Sequence, residues 1–212
     1  MVQTTEARPA QAARSTPRLQ PGDHLTLAEF ERRYEAMPDL KKAELVEGIV
    51  HMPSPISDRH AGPHAILAGW ALTYAAAAPA VAVLDNATVT LDANNEVQPD
   101  VLLRRTANGA STVSEKGYVV GPPELVIEIA YSSAAYDLHE KRNVYRRSGV
   151  QEYLVWRVDD AAVDWWELAD GVYAPLAPDA NGVVQSRAFP GLTLDVPALL
   201  KGDIRQVLAR LR

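Results

Sequence analysis

The chain has 212 residues, 47% of them apolar and 23% charged, the proportions of an ordinary soluble globular protein. It contains no cysteine, which excludes disulfides, thiolate metal sites and a cysteine nucleophile, and is compatible with the cytoplasmic location we expect. A net charge of −6 argues against a surface that is basic throughout, although a local basic patch and a bound cation can still bring a polyanion to an acidic cleft.

Residues 1–20 hold three Arg, one Glu, two Pro and almost no large apolar side chain, so they read as a disordered tail, with 21–212 forming a single domain. No apolar run approaches the roughly 18–20 residues of a membrane span; Gly69, Thr73, Tyr74 and Pro79 interrupt the longest candidate. Thr26-Leu27-Ala28-Glu29 has capping-box spacing and predicts a helix to about Glu35, with Leu27, Phe30 and Tyr34 inward. From Lys42 an acidic segment runs into a strand ending at Pro53; Glu44 and Glu47 share a face if helical and point to opposite sides if extended. A helix is expected to start near His60 to Pro63 and run to about Ala77, with Ile66, Leu67, Trp70, Leu72 and Tyr74 as core candidates.

Strands are predicted at 81–84 and 88–91, joined by the turn-prone pair Asp85-Asn86, and at 97–103 after the turn at 92–95. Residues 104–122, with Asn108-Gly109 and Gly121-Pro122, read as a mobile loop. Next come a strand at 125–130 and a helix at 134–148, which Ser132 and Ser133 would cap and Gly149 would end. A strand at 152–157 follows, then antiparallel strands at 163–168, 172–176 and 184–189, turned at Asp170-Gly171 and Asn181-Gly182. A last helix at 197–211 is expected to bury Leu199, Leu200, Ile204, Val207, Leu208 and Leu211. The order gives a mixed α/β sheet with helical cover.

The chemistry concentrates in 97–145. Strand 125–130 is apolar except for Glu128, and an ionised carboxylate in an apolar layer costs on the order of several kcal/mol unless paired or bound to a metal. Asp100 lies on the strand upstream, next to Pro99, which removes a ladder donor and suits a distortion that aims a side chain. Two hard oxygen ligands on adjacent strands suit Mg²⁺ or Mn²⁺, and such a site can cleave a phosphodiester. On the following helix Asp137, Lys141 and Tyr145 stand at i, i+4 and i+8 on one face. Lys141 either orients the water and offsets transition-state charge, or is simply the buried ion-pair partner of Glu128; spacing leaves both open. His60 and His64 are four apart, but Gly62 and Pro63 between them argue against a ligand pair. Arg142, Arg146 and Arg147 read as a solvated face before a DNA clamp, and Trp156, Trp165 and Trp166 as core or the surface of a homodimer. There is no P-loop, GxGxxG or GxSxG.

These residues resemble the Uma family of restriction-endonuclease-like proteins, part of the PD-(D/E)XK nuclease superfamily. The likeness rests on Ala43-Glu44-Leu45-Val46-Glu47-Gly48, Gln98-Pro99-Asp100-Val101, Pro123-Glu124-Leu125-Val126-Ile127-Glu128-Ile129, Asp137-Leu138, Lys141, Tyr145 and Gly149-Val150-Gln151-Glu152-Tyr153. The resemblance spans roughly residues 23–200. It implies an αβββαβ core, here with an added antiparallel β-meander and a C-terminal helix, and a metal-dependent endonuclease acting on DNA. It implies Mg²⁺ or Mn²⁺ on Asp100 and Glu128, Glu44 as a further acid at the metal, Lys141 as a catalytic residue, and support from Asp137 and Tyr145. The superfamily's usual lysine position, two after the second acid, is Ala130 here; in this family's pattern the helix supplies it, which matches Lys141. Ala130-Tyr131 stands where the family has a Leu-Ser pair, and Leu154 where Trp is usual. A catalytically silent nucleic-acid-binding or interaction module with the same fold is the alternative.

Overall fold

The computed structural model describes residues 16–53, 57–131 and 133–211; residues 1–15 of the expected tail and the expected cap Ser132 lie outside them. In chain order the elements are α1 (Leu27–Glu35), β1 (Glu44–Val46), β2 (Ile49–His51), α2 (Asp58–Ala75), β3 (Val81–Asp85), β4 (Val89–Asp92), β5 (Asn95–Val97) and β6 (Val101–Arg105). Then come β7 (Thr112–Val113), β8 (Val119–Val120), β9 (Leu125–Ala130), α3 (Ala134–Tyr136), a π-helical turn (Asp137–Lys141) and α4 (Arg142–Ser148). The remainder is β10 (Glu152–Arg157), β11 (Ala162–Ala169), β12 (Val172–Pro175), β13 (Val183–Gln185), β14 (Thr193–Asp195), α5 (Val196–Leu200) and α6 (Ile204–Ala209).

The strands form two six-stranded sheets, ordered β2-β1-β5-β4-β8-β7 and β12-β11-β10-β9-β6-β3, and a β13-β14 ribbon. Both sheets are mixed: β9 runs parallel to β10, across the α3–α4 crossover, and antiparallel to β6, while β4 runs parallel to β8. Strand β9 is covered on both faces, as its near-continuous apolar run requires. Leu125, Ile127 and Ile129 pack with Leu67, Trp70, Leu154, Trp165 and Phe189. On the other face Val126 and Ala130 join Val97, Tyr145, Tyr153, Val155 and Trp166 between the sheets. Glu128 shares that second face by alternation.

Several expectations are corrected. The strand expected at 97–103 is two strands in different sheets, because the chain crosses at Gln98-Pro99-Asp100, where Pro99 can donate no ladder bond. Strands β3 and β4 also belong to different sheets and are not a hairpin. The loop expected at 104–122 contains β7 and β8. Glu44 and Glu47 stand on a β1–β2 hairpin whose turn, Glu47-Gly48, has positive φ at both residues. Helix α2 starts at Asp58, so Pro63 lies inside it, and its buried stripe is Leu67, Trp70, Ala71 and Tyr74. Leu72 falls off that i, i+3, i+4, i+7 stripe and is 57% exposed. The C-terminal helix is split into α5 and α6 at Gly202 (φ 75°), with Asp203 capping the second, and Leu200 faces solvent. Leu19, inside the expected tail, is buried with Phe30 and Met37. The three tryptophans lie in the core, so they are not a dimer surface. No helix among the described residues is long and apolar enough to cross a membrane.

Candidate active site

The site forms where the two sheets face each other. Antiparallel pairing of Val101 with Ile127 sets the register of β6 against β9 and, one step further, brings Asp100 beside Glu128. The two acids hold each other through backbone. The Ile129 amide donates to Asp100 Oδ2 at 2.7 Å, and the Asp100 amide donates to Glu128 Oε2 at 3.4 Å. Gln98, on the other side of Pro99, donates its amide to Glu44 Oε1 at 2.8 Å. The crossing segment therefore anchors acids from both sheets, using amide donors that an unbroken strand would have spent on its ladder.

Lys141 enters from the π turn. Its ammonium lies 2.6 Å from Glu128 Oε1 and 3.0 Å from Glu44 Oε1, and all three side chains are buried. Tyr145 donates its hydroxyl to Glu128 Oε1 at 2.9 Å. Asp137 is buried at the start of the same turn, accepting from the Ser133 hydroxyl at 2.5 Å, while its carbonyl accepts from Tyr153 at 3.1 Å. In the π turn the Arg142 amide reaches back to the Asp137 carbonyl, one residue further than an α-helix would allow. Such turns recur at functional sites because the added residue re-aims side chains. The structure thus brings Glu44, Asp100, Glu128, Lys141, Asp137 and Tyr145 together.

The electrostatics follow from burial. Desolvation pushes Glu128 up to about 8, with Lys141 pulling against it and Asp100 adding like-charge repulsion. Burial also opposes ionisation of Glu44, but the ammoniums of Lys141 and Lys42 hold it below the usual carboxylate range. Asp100 is held at about 2: burial opposes ionisation, yet the bond from His60, the charge of Lys42 and the Ile129 amide outweigh it. Burial pushes Asp137 up. The Lys141 ammonium would be disfavoured by desolvation, but Glu128 and Glu44 hold its proton firmly.

Donors gather on one oxygen of each strand carboxylate, Asp100 Oδ2 and Glu128 Oε1. The opposite oxygens are less engaged: Asp100 Oδ1 has Lys42 at 3.8 Å, and Glu128 Oε2 has only the long amide bond among the described residues. As a set, Glu44, Asp100 and Glu128 offer the hard oxygens that Mg²⁺ or Mn²⁺ takes. Among the described residues no three carboxylates and imidazoles form a ready-made cage. In this arrangement the Lys141 ammonium supplies the compensating charge.

Residues outside the sequence-based site also matter. His60 Nε2 lies 3.1 Å from Asp100 Oδ2, and His64 Nε2 lies 3.0 Å from the Asp100 carbonyl and 2.7 Å from Asp85 Oδ1. Their i, i+4 spacing was the visible signal, and it marks a pair that grips one residue. The arginines of α4 are occupied by other partners. Arg142 stacks 4.7 Å over Trp166, Arg146 donates to the Gly171 carbonyl, and Arg147 pairs with Glu47. Two more buried acids, Glu124 and Glu152, lie in the matching motifs but serve as acceptors for the fold. Glu124 takes the amides of Arg105 and Ala110, and Glu152 those of Arg187 and Ala188 together with the Trp165 and Ser186 side chains.

Residues 27–197 match the family model Uma2, described as "Putative restriction endonuclease". The chain is also similar to a crystal structure of "a putative nuclease belonging to DUF820 from Anabaena variabilis ATCC 29413". The two share 17% identity and a TM-score of 0.65, over 84% of this chain and 98% of that one. None of the curated proteins compared with the chain matches it.

Proposed function

The chain belongs to the Uma2 family and has a restriction-endonuclease-like fold, and on that premise we propose that it is a metal-dependent endonuclease that hydrolyses phosphodiester bonds of DNA. The observation that carries this reading is the buried constellation of Asp100 and Glu128 on paired strands with Lys141 at 2.6 Å. Asp100 and Glu128 would hold a divalent cation, Mg²⁺ or Mn²⁺, with Glu44 as a further acid. When bound, such an ion polarises the phosphate and lowers the pKa of an attacking water.

The remaining work falls to the protein's own groups. Lys141 Nζ, fully protonated, offsets negative charge that builds on the phosphate oxygens, in a buried site where such compensation counts for more than in water. Tyr145 fixes Glu128 through Oε1, which turns Oε2 toward Asp100. Asp137 supports the Lys141 turn from below, with its carboxylate tied to Ser133.

One observation favours a second reading, a catalytically silent nucleic-acid-binding module: no ready-made ligand cage stands among the described residues. The two readings part in one assay. Supercoiled plasmid incubated with Mg²⁺ or Mn²⁺, beside an EDTA control, is nicked by the enzyme; the silent module shifts its mobility and leaves it intact.

A further inference from the structure

Helix α2 meets the site at a single residue. His60 and His64, one turn apart, both reach Asp100: His60 Nε2 contacts carboxylate oxygen Oδ2, and His64 Nε2 contacts the main-chain carbonyl. Oδ2 already accepts the Ile129 amide at 2.7 Å, so with His60 at 3.1 Å it has two donors in fixed directions. A carboxylate held twice through one oxygen cannot rotate freely, and its other oxygen, Oδ1, has only the Lys42 ammonium at 3.8 Å among the described residues.

The other nitrogen of the ring points to purpose. His60 Nδ1 is buried and has no hydrogen-bond partner among the described residues. An unpaired buried polar atom costs stability, so packing alone does not favour an imidazole here over an apolar residue. What the imidazole gains is the bond to Asp100. That bond also sets the proton: an ionised carboxylate accepts, so Nε2 must carry the hydrogen.

We infer that His60 is a positioning residue, whose Nε2–H fixes the Asp100 carboxylate so that Oδ1 is presented to the divalent cation. The inference rests on the nuclease reading. His64 completes the grip by holding the Asp100 backbone and tying it to Asp85. A metal ligand is commonly held this way by a partner that never touches the ion, and loss of such a partner weakens metal binding about 10–100-fold.

The chemistry of amide side chains gives a sharp test. The Gln amide nitrogen superposes on His Nε2 and the Asn amide nitrogen on Nδ1. Mn²⁺ affinity would be measured directly, without DNA, from the loss of the free-ion electron paramagnetic resonance signal. His60→Gln keeps near wild-type affinity, whereas His60→Asn loses about 10–100-fold. Equal affinities in the two variants overturn the inference while leaving the nuclease reading in place. A wild-type protein that takes up no Mn²⁺ overturns both. A readout on the unaltered protein guards against variants that fail to fold: the ¹⁵N shifts of His60 report which ring nitrogen is protonated. A protonated Nε2 supports the grip, and a bare Nε2 overturns it.

Discussion

The ammonium of Lys141 lies 2.6 Å from Glu128 Oε1, and both groups are buried. The same ammonium lies 3.0 Å from Glu44 on β1, so one cation links acids carried by two different sheets. Removing it strands the Glu44 carboxylate and, wherever Glu128 is ionised, a second one. We expect Lys141→Ala to lose about 3–5 kcal/mol of stability in EDTA and to regain part of it in millimolar Mn²⁺, because a divalent ion can replace the missing charge. Urea melts with and without Mn²⁺ check this, and a metal-free loss below about 1 kcal/mol contradicts the buried pair.

The second prediction concerns pH. Glu128 is pushed up to about 8 by burial, well above the 4.5 it returns to when unfolded. Its contribution is fully present below pH 4.5 and is lost as pH rises through 8, because the folded state keeps a proton that the unfolded chain has released. Glu96, raised to about 6 by burial, has finished titrating before the upper part of that window. Between pH 6.5 and 8.5 in EDTA, wild-type Tm should therefore fall more steeply than that of Glu128→Gln. Parallel curves for the two proteins contradict the raised Glu128.

Cation binding should stabilise the folded protein. A ligand at 100 times its Kd adds about 2.7 kcal/mol. We expect Tm to climb with Mn²⁺ concentration in the wild type and hardly at all in Asp100→Asn, measured by thermal melts across a Mn²⁺ series. A wild-type Tm indifferent to millimolar Mg²⁺ and Mn²⁺ contradicts the assignment of Asp100 as a ligand.

Glu152 supplies the contrast. It is as buried as Glu128, but four donors from the protein itself satisfy it. Glu152→Gln keeps the shape and sets an amide NH₂ against two of those donors, at about 1–3 kcal/mol each. We expect stability to fall by that amount, while Mn²⁺ affinity of the folded protein stays at the wild-type value. A lost affinity with unchanged stability would move Glu152 into the site.

How much of this could be read from the chain depends on the range of the forces involved. The Thr26 cap, the Gly149 stop and the alternation of β9 are local, and the structure has them where the sequence puts them. Glu128 was legible because a carboxylate in the middle of an apolar strand needs a partner. The break at Gln98-Pro99-Asp100 was half legible: Pro99 announces a distortion, but only tertiary pairing shows the chain changing sheets there. The π turn left no trace, since no Gly or Pro marks Asp137–Lys141 and the insertion is held by contacts around it. His60 was passed over because Gly62 and Pro63 suggested a helix start. The helix begins earlier at Asp58 and carries Pro63 inside it, which sets His60 and His64 one turn apart against Asp100. Spacing alone could not tell Glu44 from Glu47; the family resemblance singled out Glu44, and the hairpin sets Glu44 beside Lys141 and Glu47 in its turn.

The central claim is that Asp100 and Glu128 form a metal-dependent phosphodiesterase centre, and metal-dependent nicking of supercoiled plasmid tests it most directly. Wild type, Asp100→Asn and Glu128→Gln would be compared on one plasmid stock, with Mn²⁺ titrated from zero and an EDTA arm for each. The account predicts nicking by the wild type that rises with Mn²⁺, vanishes in EDTA, and falls at least a hundredfold in either variant while both remain folded, an estimate of about 2.7 kcal/mol in transition-state stabilisation. Nicking that persists in EDTA, or that survives in both folded variants at the wild-type rate, would contradict it.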